Sequence, residues 1–339
     1  MSMSEQGLSG ELARLINGYQ VSQAIHVAAT LGIPDLLAGG PRGSRALAGA
    51  TQTDPAALYR LLRALAAVGI LLEQDDRQFS LAPLGELLRS NAACSARAWA
   101  ELIGRPNYWH AWGDLLGGIR TGTVPFENVH GATVWDYRAQ RPDEAGIFNR
   151  AMAAITDQIA EAVSSAHDFS RYAKLVDVGG GEGAFIAGIL GKHRALSGIL
   201  FDQAAVVARA HDRLDHAGVS DRCQVVGGNF FDAVPEGGDA YLLKWILHDW
   251  SDNDATAILR CCRRAIRPDG RLVIVEHLIG PSNAGREGKF MDLNMMVITG
   301  GVERTRAEFA AIFEAAGFEL TRVSHTETPI SVIEGAPRS

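Results

Sequence analysis

The 339-residue sequence has little cysteine, no long apolar run and no excess of basic charge. Its four cysteines are Cys94, Cys223, Cys261 and Cys262, and no pair has metal-binding spacing, so we expect reduced thiols and no metal. No stretch approaches about 18 uninterrupted apolar residues, so no membrane span is expected. Residues 1–6 lack the basic start and apolar run of a signal peptide. These absences predict a cytoplasmic protein.

Charge argues against a nucleic-acid partner. Lys and Arg number 32 against 39 Asp and Glu, a formal net charge of -7. Binding to phosphates requires a concentrated basic surface, so we expect no nucleic acid. With 47% hydrophobic residues the chain can bury an ordinary core, and its length indicates two domains or one large one.

Before about residue 170 the sequence follows a mostly helical pattern. One amphipathic face is predicted by Leu12, Leu15, Ile16, Tyr19 and Ile25, and another by Ile147, Met152, Ile155, Ile159 and Val163. Pro142 suits a first helical turn, so the second helix is predicted to start there.

Residues 44–81 have the outline of a winged helix. Two short helices are predicted at 44–49 and 55–68, followed by hairpin strands at 70–73 and 79–81. A winged helix can bind DNA, but residues 42–89 carry six Arg against five Asp or Glu, too little net charge to hold phosphates. We therefore predict a packing or dimerisation module. A DNA-binding regulator stays an alternative that a gel shift at low salt would detect.

After about residue 170 strands alternate with helices. The predicted strands are 174–178, 198–202, 223–226, 240–245 and 272–276. Such alternation predicts a parallel sheet covered on both faces, with ligands beyond the carboxyl ends of its strands. Ser251, and Thr305 with Glu308, have the spacing of helix N-caps.

A glycine-rich turn follows the first of these strands, in the segment LVDVGGGEGAF at residues 175–185. Gly179 and Gly181, with Asp202 about 20 residues further on, match a dinucleotide-binding fingerprint. Asp177 and Glu182 flank the turn and would repel a pyrophosphate but attract a sulfonium cation. Charge thus favours S-adenosylmethionine over NAD. An NAD-dependent oxidoreductase stays an alternative, which titration with both cofactors would test.

Six segments occur in order: LVDVGGGEGAF, LFDQ, GNFF, YLLKWILHDW, VIVEHLI and GGVERT. Together they resemble the two-domain, S-adenosylmethionine-dependent small-molecule O-methyltransferases, which include plant caffeate-type enzymes and bacterial enzymes of antibiotic and secondary metabolism. The likeness covers essentially the whole chain. It implies an α/β fold: a Rossmann-like class I methyltransferase sheet with helices on both faces, preceded by a mostly α-helical winged-helix dimerisation domain.

The resemblance also implies a domain plan and partners. Residues 1–100 would form the dimerisation domain, 101–168 a helical connector contributing to the acceptor pocket, and 169–339 the S-adenosylmethionine-binding catalytic domain. Members of the family form homodimers whose N-terminal helices interlock, one subunit completing the pocket of the other. A homodimer acting on a small aromatic acceptor, with no metal, is therefore expected.

Matched residue by residue, the resemblance implies a set of cofactor contacts. Asp177, Gly179 and Gly181 would line the methionine end, Asp202 would hold the ribose hydroxyls, Asn229 and Phe230 would meet the adenine, and Lys244 and Trp250 would close that side. The family usually has Asp at the position of Asn229. An amide oxygen can still accept a hydrogen bond from the adenine amino group.

The catalytic residues implied by the resemblance are His248 as base, with Glu276 and Glu303 as the two acids that bracket it. The acceptor pocket would be lined by Phe148, Met152, Trp245, Asp249, Asn294 and Ile298. A histidine, with an ordinary pKa of about 6.5, suits removal of a phenol proton. We therefore predict methylation of an aromatic hydroxyl, on a multi-ring phenol or N-heteroaromatic secondary metabolite. Methylation of nitrogen or carbon stays an alternative, although a nitrogen nucleophile often needs no base.

Overall fold

The computed structural model describes residues 5–338 as two compact units. The first unit runs to Trp109 and includes Asp143–Ala154, whereas the second comprises His110–Pro142 and the chain from Ile155 onward. A search of the described residues finds no helix with the length and hydropathy needed to cross a membrane.

The first unit contains a small antiparallel sheet among short helices. Its helices are α1 (Glu5–Ile16), α2 (Gly18–Thr30), α3 (Ile33–Leu36), α4 (Ser44–Thr51), α5 (Pro55–Ala67), α6 (Pro83–Glu86) and α7 (Arg97–Ile103). The strands are β1 (Arg42–Gly43), β2 (Leu71–Gln74) and β3 (Gln78–Leu81), in the order β1-β3-β2. Helices α4 and α5 with the β2–β3 hairpin form the winged helix that the sequence predicts. Leu47, Leu62 and Phe79 are buried at its centre.

Five helices follow along the chain. They are α8 (Pro106–Gly113), α9 (Leu115–Thr121), α10 (Pro125–His130), α11 (Val134–Ala139) and α12 (Pro142–Ala166). The proline at the start of α12 stands where its missing amide hydrogen costs nothing, as the sequence predicts. Residues 143–154 of α12 belong to the first unit, and the remainder of the helix belongs to the second.

A seven-stranded sheet organises the second unit. Its strands are β4 (Lys174–Val178), β5 (Ser197–Asp202), β6 (Cys223–Gly227), β7 (Ala240–Lys244), β8 (Arg271–His277), β9 (Phe318–His325) and β10 (Ile330–Pro337), in the order β6-β5-β4-β7-β8-β10-β9. The parallel strands β4 to β8 match the predicted ones closely. The antiparallel pair β9 and β10 was not predicted, because it is a hairpin with no helix between its strands.

Helices cover both faces of this sheet. They are α13 (Ala184–Lys192), α14 (Ala204–Val207), α15 (His211–His216), α16 (Asp252–Ala265) and α18 (Arg306–Ala315). A further helix, α17 (Arg286–Ile298), packs against α10. Alternate strand residues face opposite sides: Leu175 packs in one hydrophobic cluster and Val176 in the other. The Ser251 cap of α16 and the Thr305–Glu308 capping box of α18 form as predicted.

The strand order reverses between β4 and β7. Chain leaving β4 turns toward β5, whereas chain leaving β7 turns toward β8. Such a reversal opens a crevice at the carboxyl ends of the strands, where ligands of open α/β sheets bind. The glycine turn after β4 and the turn after β7 therefore begin at this crevice.

Candidate active site

The chain turns sharply as it leaves β7. Trp245, predicted to end that strand, has a φ of 55°, which lies outside the extended region and is rare for a bulky residue. Its backbone amide still donates to the carbonyl of Val275 at 3.1 Å. Strained residues of this kind persist where the surrounding structure over-determines them. After Ile246, residues Leu247–Asp249 form a single 3-10 turn that carries His248.

The carboxylate of Glu276, near the end of β8, holds the backbone of this turn. Its Oε1 accepts hydrogen bonds from the amides of Ile246 at 3.1 Å, Leu247 at 2.6 Å and His248 at 3.2 Å. Glu276 is completely buried, and burial raises the pKa of its carboxyl to about 7. Glu276 therefore contacts the main chain beneath His248.

The imidazole of His248 hydrogen-bonds to Glu303. The distance between Nδ1 and Oε1 is 2.7 Å, and the two residues are only 7% and 2% exposed. The Nε2 atom lies 3.9 Å from Oδ1 of Asp249. Burial by itself lowers the pKa of His248, but the negative charges of Glu303 and Asp249 outweigh it and raise that pKa to about 10. The structure thus brings His248 and Glu303 into direct contact.

Arg304, which sequence reasoning missed, lies beside the same turn. It is 1% exposed, and its guanidinium donates to the carbonyls of Leu247 and Trp250, each at 2.8 Å. Its Nε donates to Asp252 at 2.9 Å, in the first turn of α16. Arg304 lies in the segment GGVERT, which was recognised in the sequence. The resemblance assigned a role only to Glu303 in that segment.

Gly301 allows the segment between α17 and α18 to approach the turn that carries His248 closely. A Cβ at this position would lie 1.9 Å from the carbonyl oxygen of His248. That oxygen accepts a hydrogen bond from the amide of Val302 at 2.8 Å. Any side chain at 301 would therefore push His248 away from its present position.

Asp202, the last residue of β5, supports the backbone of the glycine turn after β4. Its two carboxylate oxygens accept hydrogen bonds from the amides of Gly181 at 2.8 Å and Gln203 at 2.6 Å. Gly181 has a φ of 60°, and a Cβ there would meet no atom within 4 Å. The turn therefore presents bare backbone to open space, while each oxygen of Asp202 keeps a lone pair for a ligand.

Asp177 is buried and Lys244 is partly buried near this turn. Oδ2 of Asp177 has no hydrogen-bond partner within residues 5–338, and burial raises the pKa of this carboxyl to about 7. Burial lowers the pKa of Lys244 to about 8, against the opposing effects of Asp177, Asp249 and Glu276. Near the glycine turn, carboxylate oxygens thus outnumber positively charged side chains. This composition suits S-adenosylmethionine, which carries a positive sulfur and an ammonium group.

Aromatic rings cluster near the predicted adenine side. The ring of Trp250 lies edge-on to Phe230 and Phe231, with centroids 6.0 Å and 4.8 Å away. The side-chain oxygen of Asn229 accepts a hydrogen bond from the amide of Phe231 at 3.1 Å. The oxygen that the sequence assigns to the adenine amino group therefore also stabilises its own loop.

The residues assigned to the acceptor pocket fall in both units. Phe148 and Met152 lie in the part of α12 that belongs to the first unit. The second unit holds the other four, which are Trp245, Asp249, Asn294 and Ile298. Oδ1 of Asn294 accepts a hydrogen bond from the indole of Trp112 at 3.2 Å, and Ile298 is buried.

The fold and the arrangement of this crevice are those of a Rossmann-like class I methyltransferase. Residues 112–319 match the O-methyltransferase domain family, and residues 13–91 match the O-methyltransferase dimerisation domain family. The chain therefore belongs to the O-methyltransferases, and it is an S-adenosylmethionine-dependent enzyme. The oxidoreductase alternative is wrong.

Characterised relatives align over almost the full length. The phenazine O-methyltransferase PhzM of Lysobacter antibioticus is 42% identical, with 97% of this chain and 96% of the relative aligned. An 8-amino-8-demethylriboflavin N,N-dimethyltransferase of Streptomyces davaonensis is 38% identical over 93% of this chain and 91% of the relative. The crystal structure of NcsB1, an O-methyltransferase of neocarzinostatin biosynthesis, superposes with a TM-score of 0.81 at 31% sequence identity. That alignment covers 94% of this chain and 96% of NcsB1, which holds S-adenosylmethionine and 2-hydroxy-5-methyl naphthoic acid.

We expect Gly301→Ala to destabilise the protein by about 1–3 kcal/mol, because the added methyl group overpacks the turn. Gly191→Ala is the matched control, since a Cβ at this helical position meets no atom within 4 Å. It should leave stability unchanged or increase it by up to about 1 kcal/mol. Urea denaturation followed by circular dichroism measures both changes. Equal stabilities for the two variants would contradict the close approach at Gly301.

Proposed function

We propose that this enzyme methylates a hydroxyl group on a flat, multi-ring aromatic acceptor, a phenol or N-heteroaromatic of secondary metabolism, with His248 as general base. The observation that carries the proposal is the hydrogen bond between His248 Nδ1 and Glu303 at the ligand-binding edge of the sheet. A carboxylate on one ring nitrogen fixes the tautomer and supports the imidazolium that forms when the other nitrogen takes a proton.

S-adenosylmethionine, when bound, would supply the methyl group from its positively charged sulfur, and cleavage of that S–C bond would leave neutral S-adenosylhomocysteine. With Nδ1 engaged by Glu303, Nε2 is the nitrogen of His248 available to take the acceptor's hydroxyl proton as the new O–C bond forms. The base must be neutral to do so. A positive charge beside the imidazole lowers the pKa of His248 from about 10, toward the range in which the neutral ring is populated.

The relatives support an aromatic acceptor. One is named for a phenazine, and the NcsB1 structure contains a hydroxylated naphthoic acid. The riboflavin-modifying relative acts on nitrogen, so the family also includes N-methylation. The buried His248–Glu303 pair favours oxygen in this chain, because a hydroxyl must lose its proton whereas an aromatic amine often reacts without a base.

We expect His248→Asn to lower the rate of methyl transfer by about 100-fold or more, since it removes the proton acceptor. Binding of S-adenosylhomocysteine, measured by calorimetry, should stay within a few-fold of wild type. The assay supplies S-adenosylmethionine and a panel of hydroxylated phenazines and naphthoic acids, and mass spectrometry detects the methylated products. His216→Asn, on exposed helix α15, is the control and should react normally. A near wild-type rate for His248→Asn would exclude its role as base.

The pH dependence of the rate tests the Glu303 contact. The negative charge of Glu303 raises the pKa of His248, so removing this charge lowers that pKa. In Glu303→Gln the rise of rate with pH should therefore shift to lower pH by about 1 unit or more. Initial rates at saturating cofactor measure the shift. Glu314→Gln, which alters an exposed ion pair with Arg338, should leave the profile in place. An unshifted profile for Glu303→Gln would count against this pairing in solution.

We also propose that the enzyme is a homodimer formed through its first unit. Helix α1 has no buried residue, and Leu8, Leu12, Leu15 and Ile16 expose more than half of their surface on one side of it. A helix with an uncovered apolar face requires a partner surface. The match of residues 13–91 to a dimerisation domain supports a second copy of this chain as that partner.

Leu12→Glu should shift the protein toward the monomer, because a charge would be buried at the interface. Light scattering during size-exclusion chromatography measures the molecular mass. Phe290→Glu is the matched control: Phe290 is 55% exposed and Leu12 is 59% exposed, but Phe290 lies on α17 in the second unit. It should remain dimeric. The proposed interface is wrong if Leu12→Glu keeps the wild-type mass.

We propose a cytoplasmic location for the enzyme. Its four cysteines are free thiols, and three of them are buried. Free cysteines are typical of compartments that keep thiols reduced. Cell fractionation with detection of the protein would test the location.

A further inference from the structure

We infer that Arg304 is a positioning residue for the catalytic base. Together with Glu276 it clamps the main chain of the turn that carries His248, and this clamp sets the contact between the imidazole and Glu303. The inference rests on the proposed role of His248. It assigns Glu276 and Glu303 to different tasks, one acting on the backbone of the turn and the other on the ring.

Arg304 holds the carbonyl side of the turn. Its Nη1 donates to the carbonyl of Leu247 and its Nη2 to that of Trp250, so the planar fork spans the residues on either side of His248 and Asp249. The Nε–Asp252 hydrogen bond extends this hold to the start of α16. A lysine has no fork and could not bridge the same set of acceptors.

Glu276 holds the amide side of the turn. Three consecutive amides, those of Ile246, Leu247 and His248, converge on one oxygen, Oε1. Burial raises the pKa of Glu276, and the positive charges of His248 and Arg304 oppose this rise. A buried carboxylate and a buried guanidinium therefore satisfy opposite polar groups of one short segment.

Chain connectivity links the clamp to the ring contact. Glu303 and Arg304 are consecutive in an extended segment, which ends in a bridge between Leu278 and Arg304, and successive side chains of extended backbone point in opposite directions. Glu303 thus reaches the imidazole while Arg304 reaches the backbone beneath it. A shift of the Arg304 contacts would therefore change the distance between His248 and Glu303, which orients the imidazole ring.

The clamp has a testable consequence for proton binding. Glu303 raises the pKa of His248 through a 2.7 Å contact, and the attraction weakens as that distance grows. Asp249, Glu276 and Arg304 also face this region. Arg304→Lys keeps the positive charge but loses the fork, so it isolates the effect of geometry from that of charge.

Arg222 provides a matched control. Its guanidinium also bridges main-chain carbonyls, those of Leu190, His193 and Leu196, but at the amino ends of β5 and β6, away from the carboxyl ends where this turn lies. Arg222→Lys removes the same kind of fork from a structural site. A general loss of rigidity would affect both variants alike, whereas misplacement of the base would affect only Arg304→Lys.

The experiment measures the titration of His248 by NMR in full-length protein labelled at histidine and saturated with S-adenosylhomocysteine. His248→Asn assigns the signal among the ten histidines. We expect Arg304→Lys to lower the titration midpoint of His248 by about 1 pH unit, and to lower kcat about 10- to 100-fold with KM little changed. Arg222→Lys should change neither value. A wild-type midpoint and kcat in Arg304→Lys would overturn the inference.

A second pair of variants covers the case in which Arg304→Lys does not fold. Glu276→Gln keeps an oxygen that can accept the three amides, whereas Glu276→Ala does not. We expect Glu276→Gln to retain at least about tenfold more activity than Glu276→Ala. Equal loss in both would show that charge, not main-chain binding, is the role of Glu276, and would overturn the clamp. The NMR titration needs no acceptor, so failure of the wild-type enzyme to methylate the aromatic panel would contradict the proposed function alone.

Discussion

The geometry of the active site depends on one buried carboxylate that binds main chain. Glu276 accepts the amides of Ile246, Leu247 and His248 on a single oxygen, in surroundings with no access to water. An unsatisfied buried amide costs about 1–3 kcal/mol, so three of them without this acceptor would open the turn. The turn begins with Trp245 at a positive φ, and its amide donates to the carbonyl of Val275. The position of His248, and with it the contact to Glu303, depends on these hydrogen bonds.

The charged residues at this edge of the sheet form two groups, one around the glycine turn and one around the turn after β7. Around the glycine turn, Asp202 supports backbone and Asp177 keeps an unpaired acceptor oxygen, which suits a cationic cofactor. Around the turn after β7, Glu276, Glu303 and Asp249 surround His248 and favour its protonated form. Two positively charged groups placed close together oppose one another. A cationic cofactor bound at this edge would therefore oppose protonation of the imidazole.

Much of the fold could be predicted from the sequence, because it lies in local patterns. Alternating strands and helices predicted β4 to β8, and Thr305 with Glu308 predicted the start of α18. The hairpin of β9 and β10 was missed, since its strands depend on pairing with β8, which is distant in sequence. Motif order predicted His248 and two acids as site residues, and the structure places Glu303 on the imidazole and Glu276 on the backbone of the same turn. The hydrogen bonds of Glu276 and Arg304 could not be predicted, because both residues bind main chain, which no side-chain spacing encodes.

The order of strands has a consequence for how the chain folds as it is synthesised. Strand β10 follows every other strand in sequence, yet it lies inside the sheet, between β8 and β9, with Ser331 opposite Glu276. Until residues beyond 330 leave the ribosome, β8 has one open side that another chain could join. The catalytic unit can therefore complete its sheet only after nearly all of this sequence has emerged. The open side of β8 is therefore available for mispairing between nascent chains until β10 is added.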